Sequence, residues 1–132
     1  MGFEEISHTA DWSVRVWAQD LPSLFAESAR AMNALAGTLT ASGRRVTRTF
    51  ESDGPDAESL LVAFLSELVY YQEQENLAFD TFDIRISDWH VSVEMNGTQI
   101  TSVDKAIKAV TYHNLKIEES SRGYEAVIVF DV

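Results

Sequence analysis

From Trp12 to Ala18 the chain alternates. Trp12, Val14, Val16 and Ala18 share one face, and Ser13, Arg15 and Trp17 share the other, the period of a strand with one buried side. Phe3 to Ile6 reads as a shorter strand before it. Asp20 then has the chemistry of a helix N-cap, and Pro22 suits the first turn, where a missing N–H costs nothing. Leu21, Leu24, Phe25, Met32 and Leu35 follow helical spacing as far as Gly37, a natural C-terminal stop. Alternation returns from Arg45 to Glu51, and Ser52-Asp53-Gly54-Pro55 is turn chemistry.

Asp56 is positioned to cap a second helix whose Leu60, Leu61, Phe64, Leu65, Leu68 and Val69 form a wide apolar stripe ending near Asn76. Glu73 and Glu75 stand at its C-terminal end, against the dipole preference. They read as a solvated acidic turn, with a partner-facing patch as the alternative. The remainder reads as strands. Phe82 to Ser87 precedes an expected hairpin of Trp89 to Met95 and Thr98 to Val103, reversed at Asn96-Gly97. A long strand is expected from about Ala106 to Ile117. Ser120-Ser121-Arg122-Gly123 turns the chain into a last strand, Tyr124 to Val132. The expected architecture is α+β: a two-layer sandwich with two main helices on a mixed, largely antiparallel sheet, forming one domain over residues 1–132.

Composition narrows the chemistry. The 132 residues are 45% hydrophobic with only 2 Pro and 6 Gly, as a packed core requires. A formal charge of −11 repels phosphates and argues against strong direct nucleic-acid binding, while suiting a basic protein surface or a cation. With no cysteine, disulfides, thiolate metal sites and thiol nucleophiles are excluded. Met1-Gly2 hints at myristoylation, but Ile6 stands where Ser or Thr is required. The longest apolar run, Leu60 to Leu65, is too short for a bilayer, and nothing resembles a signal peptide. Asn96-Gly97-Thr98 matches a glycosylation sequon but is more simply a turn. A soluble cytoplasmic protein is the default expectation, with the oligomeric state left open.

Three polar features depart from simple core design. Asp11, in His8-Thr9-Ala10-Asp11, is either a turn residue or a carboxylate at the rim of a sheet; His8 is more simply a structural imidazole. Asp131 follows the apolar run Ala126 to Phe130. If the last strand is tucked into the sheet, the terminal carboxylate of Val132 comes with it, and two adjacent anions then want a counterion. The choice is between a frayed end in water and a hard cation held by oxygens of Asp131, Val132 and a second segment. The third feature is Ile107-Lys108-Ala109-Val110-Thr111-Tyr112-His113. As one strand it sends Ile107, Ala109, Thr111 and His113 to one face and Lys108, Val110 and Tyr112 to the other. Lys108 and His113 therefore do not converge without a bend. Lys108 is the better partner for the carboxylates, and structural pairing is the alternative for both. No phosphate-binding glycine loop, His-Glu-x-x-His helix or nucleophile elbow is present.

At these residues the chain resembles the archease family. The likeness covers most of its length and rests on His8-Thr9-Ala10-Asp11, on Leu24-Phe25, and on Leu60-Leu61 with Leu65 and Leu68 ahead of a Phe79-containing segment. Ile107 to His113, followed by a Phe-Asp-aliphatic ending, completes it. Archeases usually end in Asp-Ile where this chain has Asp131-Val132, a change to which a backbone or terminal carboxylate ligand is indifferent. The resemblance implies a non-enzymatic protein cofactor of the tRNA-splicing RNA ligase, which joins 2′,3′-cyclic phosphate or 3′-phosphate ends to 5′-hydroxyl ends using GTP. It implies promotion of guanylylation of a ligase histidine and of repeated turnover. It also implies a divalent metal, calcium in the crystallographic setting, held by Asp11, Asp131 and Val132. His8, Lys108 and His113 are left as supporting or partner-facing residues. The rival expectations are a free-standing metal-dependent hydrolase or nuclease using Asp11 and Asp131, and a general acidic chaperone or adaptor.

Overall fold

A computed structural model describes residues 1–6 and 12–132. The first elements follow the sequence pattern closely: β1 (Gly2–Ile6), β2 (Trp12–Ala18) and α1 (Leu21–Ala36). The Asp20 carboxylate accepts the Ser23 N–H at 2.8 Å, and Gly37 ends α1 in the left-handed region at φ 66°. After β3 (Leu39–Thr40) and β4 (Val46–Asp53), α2 (Ala57–Glu75) begins with Asp56 accepting from Ser59 N–H at 2.8 Å. These bonds favour the ionised Asp56 carboxylate and lower its pKa. Asn76 ends α2 at φ 56°, and its side-chain amide donates to the Ile100 carbonyl at 3.0 Å.

The rest is β5 (Leu77–Ser87), β6 (His90–Ser102), β7 (Ala109–Thr111), β8 (Glu118–Ser120) and β9 (Gly123–Asp131). The fold is α+β, as expected, and its strands divide between two sheets. The first runs β1-β2-β9-β7, with β8 also on β9; the second centres on β6, flanked by β4 and β5, with β3 at its far end. Every pairing among the described residues is antiparallel. One core joins both sheets, because α1 packs on β2 and on β5 while α2 packs on β4, β5 and β7. Leu24, Phe25, Leu60, Leu61, Phe64 and Leu65 are fully buried there. Each such side chain contributes about 1.5–3 kcal/mol by leaving water. Phe64 links the layers, with its ring centroid 6.0 Å from Phe25 on α1 and 5.7 Å from Phe82 on β5. Among the described residues no helix is long and apolar enough to cross a membrane.

Two strand expectations are corrected. The hairpin does not reverse at Asn96-Gly97, which lies inside β6. It reverses at Asp88-Trp89, where Ser87 pairs with His90 and both turn residues have positive φ, 50° and 54°. The reason for Gly97 is a close approach. It sits opposite a register shift between Phe79 and Thr81, where an added Cβ would strike the Ala78 carbonyl oxygen and stand 2.7 Å from Phe79 Cα. Asp80, set outward at this bulge, pairs with Arg45, and that partner lowers its pKa.

The long strand from Ala106 to Ile117 is also absent. Only Ala109–Thr111 pairs with β9 before Leu115 N–H turns back to the Tyr112 carbonyl at 3.0 Å and Asn114 takes φ 51°. Upstream, Asp104 and Lys105 N–H both donate to the Ala36 carbonyl at the end of α1, which diverts the chain from a ladder. Ile107 and Val110 are both buried although the alternation assigned them to opposite faces. The expected solvated turn at Glu73 and Glu75 is modified too, since Glu75 pairs with Arg48 of β4 at 2.8 Å. Gly97→Ala should therefore lower the unfolding free energy by about 1–3 kcal/mol, by overpacking against backbone that has no side chain to move aside. Urea denaturation of the two proteins measures it.

Candidate functional site

Strand β9 is held along both edges at its C-terminal end. Trp12 of β2 stands opposite Phe130, and on the other side Ala109 and Val110 of β7 stand opposite Asp131 and Phe130. Phe130, Val110 and Ile107 are buried and pin this backbone to the core. Because side chains alternate along a strand, anchoring Phe130 inward turns Asp131 outward, and its carboxylate is exposed. Val132 is half-buried against the core cluster. The end of β9 is therefore an ordered platform.

Lys108 reaches this platform through its backbone. Its N–H donates to the Asp131 carbonyl at 2.7 Å, while its side chain is exposed. Beside it, Lys105 holds its ammonium 5.2 Å from the centre of the Trp12 ring, a cation–π contact. Sequence reasoning missed Lys105, yet a signal existed: all three lysines of this acidic chain fall between residues 105 and 116. His113 lies one turn on. Its N–H donates to Thr111 Oγ1 at 3.2 Å and its Nε2 is 3.2 Å from the Asn114 amide. Tyr112 is 61% exposed. The structure thus brings Lys108, Asp131 and Val132 together, and sets His113 in the following turn.

Asp11 and His8 lie outside the described residues. Trp12, the residue after Asp11 in sequence, is in β2 at the same end of the sheet as Asp131. Among the described residues no group of three or more His, Asp and Glu could hold a metal ion. Asp131 and Val132 provide oxygen donors of the hard type that calcium or magnesium prefers, and a complete site requires a further segment.

A second electrostatic feature lies at the far end of the other sheet and was not foreseen. His90 pairs with Asp53 across β6 and β4. Its Nδ1 is 2.7 Å from the Asp53 carboxylate and its Nε2 is 3.1 Å from Glu51. Two acceptors facing two ring nitrogens favour the doubly protonated ring, so the pKa is raised, by the Asp53 contact first and Glu51 second. A raised folded-state pKa means that any stabilisation is complete below the ordinary value of 6.5 and is lost as pH climbs through the higher folded value. An NMR titration of His90 should give a midpoint above 6.5, with Asp53→Asn lowering it more than Glu51→Gln does.

Comparison with known proteins identifies relatives along nearly the whole chain. The model of the Archease protein family (MTH1598/TM1083) matches residues 3–132. Protein archease of Methanopyrus kandleri is 31% identical, with all of both chains covered. Protein archease of Methanosarcina acetivorans is 34% identical, covering 98% of this chain and 95% of its own. Among solved structures, the solution structure of Methanobacterium thermoautotrophicum protein 1598 has a TM-score of 0.73 at 23% identity, covering 99% of each chain. The crystal structure of a Thermotoga maritima protein described as an archease and possible chaperone also has a TM-score of 0.73, at 18% identity over 98% of this chain and 96% of that one. At those identities the structural likeness establishes the fold.

Proposed function

Because the chain belongs to the archease family, we propose that it is a cytoplasmic accessory protein, not itself an enzyme, that activates a GTP-dependent tRNA-splicing RNA ligase. In this reading it promotes guanylylation of the ligase histidine and repeated joining of 3′-phosphate or 2′,3′-cyclic phosphate ends to 5′-hydroxyl ends. The observation that carries the reading is the meeting of β2 and β9. Trp12 stands opposite Phe130, so Trp12, which follows Asp11 in sequence, and the end of β9 lie at one end of one sheet.

The donors fit a divalent ion, calcium or a similar hard cation. The Asp11 and Asp131 carboxylates and the main-chain oxygens of Val132 would hold it. When bound, it supplies positive charge for triphosphate oxygens in a guanylyl transfer. Lys108, tied by its backbone to Asp131, supplies a compensating ammonium for the carboxylates or a contact to phosphate. His8 and His113 are supporting or partner-facing residues. The charge of −11 suits transient docking on the basic RNA-binding face of a ligase, which RNA must afterwards reoccupy. It also disfavours direct RNA binding by this chain. A general chaperone is the second reading, drawn from the description of the Thermotoga maritima protein as a possible chaperone.

Asp11→Ala and Asp131→Ala should each reduce stimulation of ligase guanylylation by roughly tenfold or more, as expected when a metal site is broken, with unchanged circular dichroism. Full stimulation by both folded variants would refute the metal role. Chelation should remove stimulation and added calcium restore it, while calorimetry follows calcium binding directly. Turnover of RNA by the purified protein alone would favour a hydrolase. Protection of unrelated basic proteins that survives chelation and Asp11→Ala would favour the chaperone.

A further inference from the structure

The second sheet ends in a strand whose outer edge has no strand partner among the described residues. β5 pairs with β6 alone. Sheet edges are usually blunted by bulges, charges or turns, since unpaired backbone groups recruit other strands. In β5 the bulge at Asp80 and the turn at Asp88-Trp89 bracket a regular stretch, Thr81 to Ser87, that contains neither proline nor lysine. Within it Phe82, Ile84 and Ile86 are only half-buried, whereas Val91, Val93 and Met95 beside them on β6 are fully buried.

The charge order of this stretch is self-complementary. Asp83 and Arg85 flank Ile84 on the solvent face, with side chains 66% and 82% exposed and only a loose 3.9 Å contact between them. A second copy laid antiparallel about a two-fold axis at Ile84 would set Asp83 opposite Arg85 and Arg85 opposite Asp83. It would also set Phe82 opposite Ile86 and Ile84 opposite itself. The other long edges lack this property. β1 carries Glu4 and Glu5, and β4 carries Glu51 and Asp53 on its solvent face, so each presents one sign only to its own copy. A cleft of about 290 Å³, lined by α1 residues including Ser23 and Arg30 and by Phe82–Ile84, lies beside this stretch.

We propose that this chain forms a two-fold symmetric dimer through β5, joining two second sheets into one continuous sheet. The contact is separate from the proposed metal site, because Asp131 belongs to the other sheet. Sedimentation equilibrium over a wide concentration range tests it. The wild-type protein should show a reversible monomer–dimer equilibrium. Asp83→Arg and Arg85→Asp each place like charges across the axis at two positions and should weaken the dimer roughly tenfold. Mixing the two single variants restores opposite charges at every pair and should give a heterodimer as tight as the wild type, and the double variant Asp83→Arg with Arg85→Asp should dimerise again. A wild-type protein that stays monomeric throughout would overturn the proposal. So would single variants that self-associate as well as the wild type, or a mixture that fails to recover.

Discussion

The antiparallel ladder between β2 and β9 is the constraint on which the rest depends. It joins strands from opposite ends of the sequence, so its closure leaves nearly the whole chain as a loop, an entropic cost that local structure does not offset. What stabilises it is one unbroken apolar row: Val14, Val16 and Ala18 against Ile128, Ala126 and Tyr124, with Phe130 above. A slip of one residue would turn this row to the solvent face and bring Ser13, Arg15 and Trp17 inward, so the register is strongly specified. The position of Asp131 follows from that register. Its exposed carboxylate is as well placed as the buried Phe130 before it.

The parts legible in the sequence are those set by neighbours along the chain. Both helices, their Asp20 and Asp56 caps and their left-handed ends at Gly37 and Asn76 are local chemistry, and each is observed. Alternation also gave β2 to the residue. The failures come from contacts between remote residues. Asn96-Gly97 carries a strong turn signal, yet the need for glycine there comes from the Ala78 carbonyl across the sheet. The stretch from Ala106 to Ile117 has strand composition, but the residues just before it, Asp104 and Lys105, are captured by the Ala36 carbonyl. The two carboxylates facing His90 lie 37 and 39 residues away, so no motif could expose them. The oddity of Asp131 was visible because an acid after five apolar residues is a local anomaly. Lys108 was expected as its partner by charge, and the contact observed is instead a backbone one, from the Lys108 N–H to the Asp131 carbonyl, which side-chain alternation does not show.

Charge is distributed so that the two signs do different work. Arg15, Arg30, Arg45, Arg48, Arg85 and Arg122 all lie within ion-pair distance of an acid on the protein itself. Exposed pairs of this kind add little stability. Their effect is to hold guanidinium groups beside carboxylates, leaving the excess of acids to set the long-range field. Of the three lysines, Lys116 also lies within ion-pair distance of an acid, Glu118, whereas Lys105 sits over the Trp12 ring and Lys108 bonds through its backbone to Asp131 at the end of β9. An acidic body that carries Lys105 and Lys108 in the segment flanking the end of β9 can approach a basic surface as a whole while offering a local positive site. Within the proposed reading, that combination suits an accessory protein that works at a partner's nucleotide site. Phosphate contact would then depend on docking first, because away from a basic partner the net field repels the ligand those lysines could hold.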